Sequence, residues 1–194
     1  MKDYISKEAE QYIEVGFSPI IAKNAKKIIE HFKPIIEPLN QRPDIGQNIT
    51  PYFGGMLLMM YENDLYDWHF DGMDYSKNKE LPKIGSNYVY LYYLTKGSPL
   101  DIGGWTTINR NFNTLNLNPD ILLATIYPKP GKTLKFPPFL AHRVRTTSIE
   151  RWVLRKTEPA TDGKLKQLWI NYFFKDKFKR QKIENNKKMG NTVS

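Results

Sequence analysis

The stretch Tyr66-Asp67-Trp68-His69-Phe70-Asp71-Gly72 places an imidazole and a carboxylate two positions apart. On a β-strand, residues at that spacing point to the same face of the sheet, so one strand would offer two metal ligands. The glycine that follows is typical of a turn. His69 and Asp71 are therefore candidate metal ligands on a predicted strand.

A second β-like segment far downstream carries another imidazole. It is Phe136-Pro137-Pro138-Phe139-Leu140-Ala141-His142-Arg143-Val144, and His142 is one of only three histidines in the chain. Two imidazoles and one carboxylate form the facial triad that holds non-haem Fe(II) and leaves coordination positions open. The third histidine, His31, lies alone in a helical pattern, which favours a surface or boundary position over a ligand role.

Length and composition limit what such a site can belong to. The chain has 194 residues, which fits one domain with a substantial core. It has no cysteine, which excludes disulfides, a thiolate nucleophile and Cys-ligated zinc or iron–sulfur sites. Any metal must then be held by His, Asp or Glu. No segment is typical of a signal peptide or a membrane span, so we expect a soluble, cytoplasmic protein without a membrane partner.

The net charge of +9 raises nucleic acid or an acidic substrate as partners. Much of the excess lies in residues 175–182 and in Lys187-Lys188, followed by the polar end 190–194. That distribution is typical of a solvated, fraying tail. Abundant Lys, Asn and Ile also fit nucleotide bias in a genome, so nucleic acid is not the favoured partner.

Two helices are predicted before the β-rich region. Ser6 is placed to cap a short helix that ends near Gly16. Ser18 is an N-cap candidate with Pro19 at the first helical position, and apolar residues then recur at helical spacing until Pro34, which we expect to end the helix. This second helix should pack one face against a sheet.

The remaining pattern indicates an all-β core. Short β-like runs are separated by Gly, Pro, Asn and Asp, at 56–61, 88–94, 122–127, 133–136, 144–147, 151–157 and 168–174. The fold class is therefore mainly β with N-terminal helices (α+β), with a double-stranded β-helix, or jelly-roll, core. We expect residues 1–50 to form a helical segment on the barrel, 51–178 the core, and 179–194 a flexible basic tail of one single domain. The polar connection 72–87, just after the ligand pair, is a candidate lid.

Several motifs in this order resemble one known superfamily. They are Met60 to Asp71, Tyr90-Leu91-Tyr92-Tyr93-Leu94-Thr95, the Gly-Gly turn in Asp101-Ile102-Gly103-Gly104-Trp105, and Arg151-Trp152-Val153-Leu154-Arg155. His142 follows His69 by 73 residues, and Arg151 follows His142 by nine. Between Met56 and Phe174 the chain resembles the Fe(II)- and 2-oxoglutarate-dependent oxygenases, with a pattern most similar to the prolyl 4-hydroxylase-like branch.

The resemblance implies a chemistry. Fe(II) would be held by His69, Asp71 and His142, with 2-oxoglutarate as cosubstrate, O₂ as oxidant and ascorbate as an accessory reductant. The product would be a hydroxylated C–H bond, most simply on a peptide or protein side chain such as proline. Related halogenases carry a small residue where this chain has Asp71, so the aspartate favours hydroxylation.

The resemblance also implies a cation for the far carboxylate of 2-oxoglutarate, and a guanidinium suits it because it can donate two parallel hydrogen bonds. Arg151 is the first choice for this cation. The alternative interpretation of Arg151 is a surface arginine that pairs with Glu150. Arg155 is the second choice and Lys166 the third, the latter if 168–174 is the last barrel strand. Further expectations are Tyr93 on the same carboxylate, Tyr61 on the C1 side, and Trp68, Trp105 and Arg155 lining the substrate entrance. Core packing is the alternative for the aromatic residues.

Other functions stay open at this point. Oxidative demethylation of nucleic acid, as in AlkB-type oxygenases, is motivated by the charge, but the segment after His142 lacks that family's paired-arginine pattern. A small-molecule or amino-acid hydroxylase is a further alternative. A binding module that keeps the barrel without turnover is disfavoured by the complete triad. The oligomeric state is not indicated.

Overall fold

A computed structural model describes residues 1–36, 47–48, 55–60, 66–71, 87–104, 106–107, 116–119, 121–146, 149–161 and 163–171. Two antiparallel sheets dominate these residues. The strands are β1 (Tyr4–Ile5), β2 (Glu14–Phe17), β3 (Gln47–Asn48), β4 (Met56–Met60), β5 (Tyr66–His69), β6 (Asn87–Tyr93), β7 (Leu100–Gly103), β8 (Thr106–Thr107), β9 (Asn116–Pro119), β10 (Leu122–Ile126), β11 (Lys132–Phe136), β12 (Ala141–Val144) and β13 (Arg151–Pro159). The helices are α1 (Pro19–Ile36) and α2 (Lys164–Ile170).

The two sheets face each other across the core. The major sheet has the order β2-β11-β6-β13-β4-β3 and the minor sheet β1-β10-β7-β12-β5, while β8 and β9 form a separate pair. Neighbours in each sheet are often distant in sequence, as in a jelly roll, and every described pairing is antiparallel. The predicted fold class, a double-stranded β-helix core with few helices, is confirmed.

Alternation along the strands builds this core. In β11 the residues are alternately buried and half-buried, so Leu134 and Phe136 face the opposite sheet. In β13 Val153 faces the same interior, whereas its neighbours Trp152 and Leu154 face the other side of the major sheet. Because side chains alternate along a strand, Arg151 and Arg155 lie on the interior face with Val153. Two arginines therefore enter the space between the sheets.

Helix α1 covers the outer face of the major sheet. The hydroxyl oxygen of Ser18 accepts a hydrogen bond from the backbone N–H of Ile21 at 3.3 Å, so the predicted N-cap is confirmed. The predicted end at Pro34 is wrong, because the helix continues to Ile36. A proline this close to the end costs the helix only one hydrogen bond of its last turn. Buried residues of this helix and the sheet form one cluster: Ala25, Phe32, Leu57, Met59, Leu94, Trp152 and Leu154.

The first 17 residues differ from the prediction. The short helix expected between Ser6 and Gly16 is only a 3-10 turn at Ala9–Gln11, although the Ser6 hydroxyl oxygen does accept a hydrogen bond from the Ala9 N–H at 3.2 Å. Strand β1 pairs with β10 and β2 pairs with β11, so this segment extends both sheets. The predicted boundary between the N-terminal segment and the core, at residue 50, stays a prediction. The predicted tail, 179–194, lies outside the described residues.

The prediction of a C-terminal strand at 168–174 is wrong for residues 168–171, the part of this segment that the structure describes. Residues Lys164–Ile170 form α2, and Leu165 and Leu168, one helical turn apart, are both buried against the core. Strand β13 is therefore the last strand of the described chain.

None of the described helices has both the length and the apolar character needed to cross a membrane.

Candidate metal centre

Two histidines face each other across neighbouring strands of the minor sheet. His69 ends β5 and lies directly opposite His142 of β12, with ring centroids 4.1 Å apart. Val144, two residues after His142, belongs to the core, so His142 also faces the interior. The sheet register thus brings together two imidazoles that are far apart in sequence.

Asp71 joins this pair from a turn. The expectation that His69 and Asp71 share a strand is wrong, because β5 ends at His69 and Asp71 lies in the turn beyond it. Its carboxylate still reaches the site: Oδ2 of Asp71 is 3.6 Å from Nε2 of His142. One potential ligand atom from each of His69, Asp71 and His142 lies within 4.8 Å of the others, and no other such group occurs in the described chain.

Backbone carbonyls select the tautomer of both imidazoles. Nδ1 of His69 is 2.7 Å from the carbonyl oxygen of Asp67, and Nδ1 of His142 is 2.9 Å from that of Leu140. A carbonyl oxygen only accepts, so each Nδ1 carries the proton and donates it. Each Nε2 then keeps its lone pair for a metal, which is the usual arrangement around ligating histidines.

The environment of His69 keeps its ring neutral. Burial, with a further contribution from His142, lowers the pKa of His69 to about 3. The ring of Phe136 packs against His142 at a centroid distance of 4.9 Å, so one side of the site is apolar. A neutral imidazole is the form that binds a metal ion.

Arg155 reaches the site from the major sheet. Its Nη2 lies 3.3 Å from Oδ1 of Asp71, the oxygen that does not face His142. The two carboxylate oxygens therefore have different neighbours, and the ion pair joins the two sheets across the interior. Sequence reasoning placed Arg155 near the cosubstrate and the substrate entrance but missed this pairing.

Arg151 lies deep in the same interior. Its side chain is buried against the sulfur of Met60, 3.6 Å from Nη1, and its guanidinium carbon lies 5.5 Å from the ring centre of Tyr93. The alternative that Arg151 pairs with Glu150 is wrong, because Glu150 binds Lys33 at 3.0 Å and the indole N–H of Trp152 instead. In the described chain no carboxylate forms an ion pair with Arg151.

Polar atoms at and beside Arg151 are buried without well-aligned partners. Neither the hydroxyl of Tyr93 nor Nε of Arg151 has a well-aligned hydrogen-bond partner among the described residues, although the phenol and the guanidinium are close enough to interact. Burial raises the pKa of Tyr93 to about 12 and lowers the pKa of Arg151. A buried guanidinium whose described acceptor is only a thioether sulfur, beside a buried phenol, is costly unless an anion binds there.

The other predicted residues take varied positions. Lys166 is exposed on α2, away from any sheet position. Trp68 is half-buried, and the guanidinium of Arg143 lies 4.9 Å from its ring centre. Gly103 belongs to β7, so the expected Gly-Gly turn begins only at Gly104. Tyr61, Trp105 and most of the candidate lid lie outside the described residues.

The chain has distant similarity to some solved structures. No protein-family model and no curated protein sequence matches the chain. Apo HygX from Streptomyces hygroscopicus is 12% identical, with 81% of this chain and 87% of that chain covered and a TM-score of 0.49. HygX with nickel and 2-oxoglutarate bound is 14% identical over 81% and 88%, with a TM-score of 0.49.

A prolyl hydroxylase from Trichoplax adhaerens, in complex with a peptide fragment of the hypoxia inducible factor oxygen degradation domain, also matches. It is 13% identical over 80% of this chain and 66% of that chain, with a TM-score of 0.35. Similarity at this level does not decide the chemistry of this chain.

Proposed function

We propose that this protein is an Fe(II)- and 2-oxoglutarate-dependent dioxygenase that hydroxylates a C–H bond. The observation that carries the proposal is the convergence of His69, Asp71 and His142 between the two sheets, with both imidazoles held in the tautomer that leaves Nε2 free. Two imidazoles and one carboxylate are the donor set of non-haem Fe(II) oxygenases.

The donor set fits this metal. Nitrogen and oxygen donors without thiolate suit Fe(II), and three protein ligands on one side leave room for further ligands. When bound, Fe(II) together with 2-oxoglutarate and O₂ supplies the oxidising power, with ascorbate as an accessory reductant. The protein holds the metal, excludes water with its apolar wall at Phe136, and orients what binds beside it.

Arg151 is the proposed partner of the far carboxylate of 2-oxoglutarate. Its buried guanidinium has no described carboxylate partner, and the buried hydroxyl of Tyr93 lies beside it. Arg155 lies four residues further along β13, roughly 13 Å away along the strand, and pairs with Asp71. The two arginines thus have different proposed roles. Arg151 binds the cosubstrate, and Arg155 orients the metal ligand Asp71. Lys166 is exposed and is no longer a candidate.

The substrate is proposed to be a peptide or protein side chain, with proline as the first candidate. Support comes from the resemblance of the motifs around His69 and His142 to the prolyl 4-hydroxylase-like branch. Trp68 and Trp105 at the substrate entrance, Tyr61 on the C1 side of the cosubstrate, and a cytoplasmic location stay predictions.

Anaerobic titration tests the proposed cofactors directly. Adding Fe(II) and then 2-oxoglutarate should give the weak visible charge-transfer absorption of a chelated cosubstrate. His142→Ala should abolish the band, whereas His31→Ala should keep it, because His31 is an exposed residue of α1. Absence of the band in the wild-type protein at saturating Fe(II) and 2-oxoglutarate would contradict the proposal.

A further inference from the structure

A cluster of side chains lies on the face of the minor sheet that points away from the metal centre. Leu100 and Ile102 of β7 face the core, so Asp101 between them faces the opposite side. Although it is on this outer face, Asp101 is only 1% exposed. Nε of Arg143 donates to its Oδ2 at 3.2 Å, and the guanidinium of Arg143 also covers the ring of Trp68. We call Asp101, Arg143 and Trp68 the outer cluster.

The outer cluster spans the strands that carry the histidine ligands. Asp101 is on β7, Arg143 on β12 and Trp68 on β5, which are neighbours in that order. Arg143 lies opposite Asp101 in the β7–β12 register. Each of Arg143 and Trp68 immediately adjoins one ligand histidine in sequence, so a displacement of either strand at the cluster also displaces an imidazole.

Strand β5 needs such support. Among the described strands it lies at the edge of the minor sheet, and its pairing with β12 contains a register shift. Tyr66 lies opposite Val144 and His69 opposite His142, so β5 uses three steps where β12 uses two. An extra residue of this kind disrupts the hydrogen-bond ladder locally. The irregular step contains Trp68, the residue that Arg143 covers.

We propose that Arg143 is a positioning residue for the metal centre. It ties β12 to β7 through Asp101 and to β5 through Trp68, and thereby holds the imidazoles of His142 and His69 at the separation that one metal ion requires. The inference rests on the proposed metal site and adds residues to it that no ligand motif contains. The buried carboxylate of Asp101 gives Arg143 a fixed anchor, and the planar guanidinium suits the flat indole.

Arg145 provides a matched control. It donates to the same carboxylate, at 2.8 Å from Nε and 3.1 Å from Nη2, and its side chain is exposed to a similar extent as that of Arg143. Its described side-chain contacts do not include Trp68. Replacing Arg145 thus removes an arginine and hydrogen bonds to Asp101 but leaves the link to β5.

The test uses Ni²⁺ as the probe and calorimetric titration of the metal-free 194-residue chain. Arg143→Met should weaken Ni²⁺ binding about tenfold or more, the usual range for residues that orient ligands, while Arg145→Met should stay within about twofold of wild type. Melting temperatures without metal should fall for both variants, which separates positioning from general stability. Arg143→Lys should lose less affinity than Arg143→Met, and Trp68→Leu should weaken Ni²⁺ binding as well.

Two outcomes would overturn the inference. If Arg143→Met and Arg145→Met weaken Ni²⁺ binding equally, or if Trp68→Leu and both Arg143 variants bind Ni²⁺ like wild type, Arg143 does not position the ligands. If Arg143→Met does not fold, Arg143→Lys and Trp68→Leu decide the question. If the wild-type protein itself does not bind Ni²⁺, the proposed metal site is wrong and the inference falls with it, so the two failures are distinguishable.

Discussion

Nη2 of Arg155 lies 3.3 Å from Oδ1 of Asp71, while Oδ2 of the same carboxylate lies 3.6 Å from Nε2 of His142. The arginine thus occupies one carboxylate oxygen and leaves the other directed toward the histidines. Asp71 lies in a turn beyond the end of β5, so no strand pairing of the described chain includes it, and the ion pair with Arg155 is the described contact that can orient its carboxylate.

Arg155→Leu should therefore weaken metal binding. Asp71 would lose the contact that orients it, and we expect Ni²⁺ affinity to fall about tenfold. Calorimetric titration of the metal-free protein measures this. The exposed Lys166→Ala variant is the control and should bind Ni²⁺ like wild type. Unchanged affinity in Arg155→Leu would show that the turn alone orients Asp71.

Arg151→Met should affect the cosubstrate and spare the metal. Removing one partner of a buried charged pair costs on the order of 3 kcal/mol, so the Kd of 2-oxoglutarate should rise about 100-fold. Ni²⁺ affinity without 2-oxoglutarate should stay unchanged, since no described contact joins Arg151 to the three ligands. A variant in which both affinities fall together would contradict the separate roles of Arg151 and Arg155.

Tyr93→Phe should weaken cosubstrate binding while changing stability little. The phenol hydroxyl is buried and interacts with the guanidinium of Arg151 without an aligned hydrogen bond, so its removal should change the free energy of unfolding without cosubstrate by no more than about 1 kcal/mol. Binding of 2-oxoglutarate should weaken by about tenfold, because one hydrogen bond to a carboxylate is lost. Urea unfolding and cosubstrate titration measure the two effects. A clear loss of stability would mean that the hydroxyl has a protein partner.

Asp101 should make stability depend on pH. Burial alone would raise its pKa, but hydrogen bonds from Arg145, Thr125 and Arg143 outweigh burial and hold the pKa of Asp101 below its usual range. A carboxyl whose pKa is lower in the folded state stabilises the protein fully above its unfolded pKa of about 4, and this contribution disappears as the pH falls through the folded value.

The comparison of wild type with Asp101→Asn measures that contribution. The difference in free energy of unfolding should be largest near neutral pH and should shrink as the solution is made more acidic than about pH 4. The exposed carboxylate of Glu10 offers a control, and Glu10→Gln should show little change over the same range. A difference that is constant with pH would indicate that the pKa of Asp101 is not depressed.

Substrate class can be separated by product chemistry. With Fe(II), 2-oxoglutarate and O₂, a proline-containing peptide should gain the mass of one oxygen atom, and the Asp71→Ala variant should give no product. Mass spectrometry of peptides and of methylated oligonucleotides should be run in parallel. Formaldehyde release from the oligonucleotides, without peptide oxidation, would favour the nucleic-acid demethylase instead.

The sequence alone was sufficient for features that depend on local chemistry. Ser18 and Pro19 indicate the start of α1 because capping and a proline-compatible φ act within one turn. Short β-like runs separated by turn residues indicate a mainly β fold. His69, Asp71 and His142 could be selected because the chain has few histidines and their order resembles a known motif, although spacing does not reveal that Asp71 lies beyond the strand.

Tertiary structure decided whatever depends on partners far away in sequence. Lys164–Ile170 became a helix because Leu165 and Leu168 are buried one turn apart, and a short apolar run fits either a strand or a helix until its packing is known. The pairing of Arg155 with Asp71 arises from two sheets that meet face to face, and the pairing of Asp101 with Arg143 arises from strand register. The sequence alone determined which side chains could bind a metal, because ligand ability depends on residue type. The strand register and the packing of one sheet on the other decided which side chains contact those ligands and orient them.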